Sequence, residues 1–66
     1  MTVAKVIEIH SEGNTIEQAA EAALNEAAKS VEQIKGIYIQ DLQALVENNK
    51  ITKYRINAKI SFVVKS

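Results

Sequence analysis

The most regular pattern of apolar and polar positions lies near the end of the chain. From Thr52 to Val64 one set of alternate residues reads Thr52, Tyr54, Ile56, Ala58, Ile60, Phe62 and Val64; the other reads Lys53, Arg55, Asn57, Lys59, Ser61 and Val63. Period-two alternation with one apolar side is the signature of a half-buried antiparallel strand. A shorter stretch of the same kind, rich in β-branched residues, runs from Thr2 to His10 and predicts a first strand. The turn residues of "SEGNT" follow, and Thr15 with Gln18 three positions later has the spacing of a capping box that opens a helix. Apolar side chains then recur in steps of three and four at Ile16, Ala20, Ala23, Ala27, Val31 and Ile34, which predicts an amphipathic helix continuing to Lys35. Gly36 stands alone after it. "IYIQDLQALV" (37 to 46) is rich in β-formers, and "ENNK" (47 to 50) suits a hairpin turn because asparagine tolerates positive φ.

The expected fold is therefore α+β: a three-stranded antiparallel sheet with one helix packed on it, in the order β-α-β-β, as a single domain over residues 1–66. The contact stripe is mostly alanine, which lets a helix lie close to a sheet but buries little area per residue. A 13-residue strand extends about 43 Å, whereas an 18-residue helix covers only about 27 Å. One helix cannot cover that strand. The overhanging apolar face and the open sheet edges call for a partner, and further copies of the same chain are the simplest one.

Composition sharpens this expectation. A chain of 66 residues hides only about 60% of the surface its unfolded form exposes, and such small cores usually need a staple. There is no cysteine, and His10 is the only histidine, so neither a disulfide nor a histidine-rich metal site is offered. Oligomerisation is the remaining staple. Eight Lys and Arg balance eight Asp and Glu, which leaves no long-range field to favour nucleic acid or an anionic membrane surface. No segment is apolar for long enough to span a bilayer, and the opening residues are too short an apolar stretch for a signal peptide. The expectation is a soluble, cytoplasmic protein that binds neither nucleic acid nor membrane.

The element order, together with the opening "VAKVIEIHSEGNTIEQAAEAAL" and the terminal "TKYRINAKISF", resembles the dodecin family over nearly the whole chain. That resemblance implies a hollow assembly of twelve chains with cubic symmetry, holding flavins (riboflavin or FMN) in pairs at two-fold axes. In the family the flavin ring stacks on a tryptophan at the start of the second strand, and a glutamine after the tyrosine of the third strand hydrogen-bonds its polar edge. Matching through "SVEQIKGIYIQD" puts Gly36 at the tryptophan, and matching through "KYRINAKISF" puts Arg55 at the glutamine. Both flavin contacts are altered, and no tryptophan exists elsewhere in the chain. Stacking on an aromatic side chain is worth about 1 to 3 kcal/mol, so flavin binding should be lost or much weakened.

Each candidate residue has a plainer reading beside the functional one. Gly36 is either a helix terminator in the left-handed region or the opened remnant of a ring site. Arg55 lies on the polar side of the third strand; it is either a solvated charge or, repeated about a symmetry axis, a binder of phosphate or carboxylate assisted by Lys35. Tyr38 offers a replacement ring. The resemblance places Asp41 where the family has an acid near a divalent ion, but Mg²⁺ or Ca²⁺ needs about six oxygens, which only symmetry copies could complete. Glu17 and Glu21, spaced like a metal pair, read more simply as the solvated helix face, and His10 as a turn or surface residue.

No nucleophile with an oriented base and no glycine-rich phosphate loop can be assembled from these residues, so no enzyme is expected. Three readings remain open: a non-enzymatic storage or sequestration shell for a small ligand with flavin binding weakened or lost; a flavin binder that reaches the ring with Tyr38 or Arg55; and a structural homo-oligomer with vestigial or metal-ion sites.

Overall fold

The computed structural model describes residues 2–65. Strand β1 (Thr2–Gly13) leads into helix α1 (Ile16–Ala28), and strands β2 (Ile34–Glu47) and β3 (Lys50–Lys65) form a long hairpin. The sheet is antiparallel with order β1-β3-β2. The strand with the most regular alternation therefore takes the central place, where it is paired on both edges.

Alternation decides what β3 buries. Ile56, Ala58 and Ile60 are at most 1% exposed beneath Ala19, Ala23 and Ala27 of the helix, with Phe62 at 8%. Ile7, Ile9, Val31, Ile34 and Ile37 close the margins of this core. The fully buried helical residues are spaced strictly by four through Ala19, Ala23 and Ala27, with Ala20 partly buried against the same core, whereas Ile16 stays 39% exposed. Alanine at all three positions removes the side-chain bulk that would hold the helix away from the sheet.

The start of α1 follows the expected chemistry. The Thr15 side chain accepts from the Gln18 amide at 3.0 Å, satisfying one free N–H of the first turn, while the Gln18 side chain reaches back to the Asn14 N–H at 3.1 Å. Ser11 donates to the Ala19 carbonyl at 2.6 Å and ties the strand to the helix. Gly13 makes the connection possible. A Cβ there would lie 2.8 and 2.9 Å from the carbonyl carbon and Cβ of Gln18, and would also strike the Ala19 nitrogen.

The end of α1 differs from the sequence expectation. The helix stops at Ala28, capped by Lys29 in a right-handed conformation, and the amides of Ser30 and Val31 both turn back to the Ala27 carbonyl at 3.0 Å. Gln33, not Gly36, carries the positive φ (50°) that redirects the chain into β2. Gly36 lies inside β2 with a φ outside the left-handed region, so it is not a helix terminator. Val31 and Ile34 satisfied the helical spacing because they do pack on the core, but they do so from the connection after the helix and from a strand.

The hairpin turn matches its expectation: Asn48 and Asn49 have φ of 52° and 63° between Glu47 and Lys50. Irregularities between Ile34 and Gly36, Gln40 and Gln43, and Leu45 and Val46 bend β2 along β3. The described chain is 52 Å long, 18 Å wide and 13 Å thick. A 13-residue helix spans about 20 Å of that length. Beyond it, Leu42, Val46 and Ile51 are each half exposed or more.

Candidate ligand site on the outer sheet face

The odd-numbered residues of β3 point away from the helix, and the pairing registers place neighbours beside each of them. Four rows cross the outer face: Val6, Ser61 and Gly36; Glu8, Lys59 and Tyr38; His10, Asn57 and Gln40; Glu12, Arg55 and Gln43. Strand pairing thus brings together residues that are far apart in sequence.

At the first two rows Val6, Gly36, Ile37, Tyr38, Lys59 and Ser61 enclose an open cleft of about 340 Å³, near the small end of the roughly 300–1,000 Å³ found for small-molecule sites. A Cβ added at Gly36 would meet only the Ser61 hydroxyl oxygen, at 3.4 Å, an ordinary contact. Tyr38 is 64% exposed and Val6 60%. The result is an apolar floor with one free aromatic ring, one ammonium group and space where a larger side chain could stand. It suits a flat ring lying along the sheet, but the chain supplies no aromatic side chain at position 36 itself.

A second cleft, about 200 Å³, lies along the same face and is lined by His10, Asp41, Gln43, Arg55, Ile56 and Asn57. Asp41 adopts φ 50° at the β2 irregularity, which takes it out of the ladder with β3. Arg55 is neither a free charge nor an isolated anion binder. Its Nε and Nη2 donate to one carboxylate oxygen of Glu12 at 2.9 and 2.7 Å, and Lys53 stands 3.9 Å from the other oxygen. Hydrogen bonding and charge from Arg55 hold the Glu12 carboxyl below its ordinary range. Glu8 is likewise lowered, first by the Asn57 side chain as a hydrogen-bond donor and then by the His10 ring, whose Nε2 is 3.4 Å away. The Asn57 carbonyl oxygen is buried and has no hydrogen-bond partner among the described residues.

The five residues singled out from sequence are thus divided. Gly36 and Tyr38 share the first cleft, Arg55 and Asp41 share the second, and Lys35 is exposed at the irregularity before Gly36 and lines neither. Glu17 and Glu21 are exposed on the helix, and His10 faces solvent from within β1 rather than from a turn. Among the described residues no three His, Asp or Glu side chains are grouped to hold a metal ion. Glu12, Glu8 and Asn57 went unnoticed as site residues. Asn57 stood in the alternating set of β3, but the partners on β1 become visible only with the strand order.

The dodecin family model matches residues 3–65. The chain belongs to the dodecin family. Its fold superposes on that of a variant of Thermus thermophilus dodecin with a TM-score of 0.87 at 18% identity, covering all of both chains. Dodecin from Streptomyces coelicolor gives 0.84 at 14% identity over 98% of this chain and 94% of that one. For the Streptomyces davaonensis dodecin the values are 0.84 and 14%, over 98% and 97%. No curated protein matches significantly. Among the described residues no helix is long and apolar enough to cross a membrane. Against this dodecin background, Gly36 is a small residue at the edge of an open cleft and Arg55 is an arginine already paired with a carboxylate of its own chain.

Proposed function

We propose that this dodecin is a non-enzymatic, cytoplasmic homo-oligomer, of twelve chains as in the family, that stores or sequesters a small planar ligand on the outer sheet face and holds flavin only weakly. The observation that carries the reading is the cleft over Gly36, which offers an apolar floor, the exposed Tyr38 ring and the Lys59 ammonium, but no aromatic surface at position 36 itself. A bound flavin would supply a broad, flat π-surface with polar atoms along one edge. Val6 and Gly36 would face its plane, Tyr38 would give a partial stack, and Lys59 would donate to an edge oxygen.

Assembly is part of the proposal. The half-exposed apolar residues beyond the helix and the two open sheet edges are the surfaces that other copies would cover. Asp41 would meet a divalent ion only if neighbouring copies supplied the remaining oxygens. A second reading, a structural oligomer with a vestigial site, draws support from the Glu12–Arg55 pair, because an arginine neutralised within its own chain has less to offer a ligand.

Mixing riboflavin with the purified oligomer tests the two readings. Quenching of its fluorescence at micromolar to millimolar protein, with a matching rise in melting temperature, is the expected result. No quenching at millimolar concentration would leave the structural reading.

A further inference from the structure

One pairing on the outer face has no part in either reading above. Glu8 and His10 are alternate residues of β1 and so project from the same side of the sheet. The His10 Nε2 and a Glu8 carboxylate oxygen lie 3.4 Å apart, and the two side chains are open to solvent, 72% and 49% exposed respectively. That separation exceeds the roughly 2.7–3.2 Å of a well-made N–H···O bond. It is, however, the spacing of two ligands on one tetrahedral ion: with bonds of about 2.0–2.1 Å to nitrogen and oxygen, the edge of the tetrahedron is about 3.3–3.4 Å.

The donor types agree with the spacing. A neutral imidazole beside a carboxylate suits Zn²⁺ or Cu²⁺, whereas Mg²⁺ and Ca²⁺ take oxygen ligands. The neighbours across β3 are Lys59 beside Glu8 and Asn57 beside His10, with Arg55 one row further on. Arg55 is committed to Glu12, which also draws Lys53, so Glu12 is not available as a third ligand. Lys59 opposes a cation, but its ammonium rides on a flexible stem and can turn toward the first cleft, which it lines. Among the described residues no third His, Asp or Glu side chain joins the pair. We infer that Glu8 and His10 form a two-donor chelate for a divalent transition-metal ion of the zinc or copper class, with water or the same pair of a second copy filling the remaining positions. The chelate stands apart from the ring site, since neither residue lines the cleft over Gly36.

The assembled wild type, without an affinity tag, is titrated calorimetrically with zinc chloride and with magnesium chloride, and its Cu²⁺ adduct is examined by pulsed electron paramagnetic resonance. His10 is the only histidine, so the remote-nitrogen signature of imidazole in the copper spectrum can come from no other side chain. The number of imidazoles coupled to each ion also counts the copies that hold it. Zn²⁺ should saturate at one ion per chain or per two chains, Cu²⁺ should bind more tightly than Zn²⁺, and Mg²⁺ should give no binding heat over the same range. His10→Gln and Glu8→Gln, with assembly checked by light scattering, should each weaken Zn²⁺ by more than about tenfold, the least that loss of an outer-shell partner costs a metal site. If either variant does not assemble, the copper spectrum of wild type decides alone. Absence of Zn²⁺ binding, Zn²⁺ binding that survives His10→Gln, a copper spectrum without imidazole coupling, or Mg²⁺ binding equal to that of Zn²⁺ overturns the chelate.

Discussion

Gly36→Trp is the most informative single change, because the structure removes the objection that would otherwise attach to it. A glycine in the left-handed region resists any side chain, but Gly36 has no positive φ, and its Cβ would meet only the Ser61 hydroxyl oxygen at 3.4 Å. Replacing a mid-strand glycine recovers about 0.5–1 kcal/mol of backbone entropy, and tryptophan is a favourable strand residue. The folded chain should therefore accept it without loss. The new indole would enter the cleft bordered by Val6, Tyr38 and Lys59 and add a stacking surface worth about 1 to 3 kcal/mol. At about 1.4 kcal/mol per tenfold, riboflavin should bind roughly 5- to 150-fold more tightly. Fluorescence quenching gives the affinity, and a riboflavin-dependent rise in melting temperature confirms that the folded state is the one that binds. A variant that assembles and melts like wild type, yet binds riboflavin no better, would refute the reasoning.

Gly13 predicts the opposite outcome: Gly13→Ala forces a Cβ against the backbone of Gln18 and Ala19, an overpacking cost of about 1–3 kcal/mol, and should lower the melting temperature by several degrees. Light scattering should find a closed oligomer with no folded species near the 7.3 kDa chain mass; a stable folded monomer at micromolar concentration contradicts the coverage argument. Because Arg55 holds the Glu12 carboxyl below its ordinary 4.5, their pairing stabilises the fold fully above that pH and fades as pH falls through the lowered value. Wild type should thus lose melting temperature in acid more steeply than Glu12→Gln, and equal slopes would discard the pair. Freed of Glu12, Arg55 in Glu12→Gln should also gain more stability from phosphate, relative to chloride at matched ionic strength, than wild type does; an equal benefit means that the guanidinium holds no anion.

How far the sequence could be read depended on whether a feature is local. The capping residues Thr15 and Gln18, the Asn48–Asn49 turn and the even-numbered core of β3 were legible because each follows from residues within a few positions of one another. The helix end was not. Val31 and Ile34 extend the helical spacing and are partly buried, so a pattern that records burial continued past the point where the backbone had changed. No glycine or proline marks that exit, and the positive φ falls on Gln33. Gly36 was therefore credited with a turn it does not make. At the site, the alternating set of β3 named Arg55 and Asn57, but Glu12 lies 43 residues from Arg55 and meets it only through the β1–β3 register. A charge judged from its own strand alone could not reveal that its counterion was already present.

The division of β3 into even-numbered and odd-numbered residues has an evolutionary consequence. On β3 the side chains packed beneath the helix sit on one parity, and, Ile56 apart, those that line the outer clefts sit on the other. Substitutions on the odd parity leave Ile56, Ala58 and Ile60 untouched, so the binding surface can drift without passing through unfolded intermediates. Such independence allows a lineage to exchange one small-molecule preference for another by single steps, while the scaffold persists at sequence identities as low as 14%.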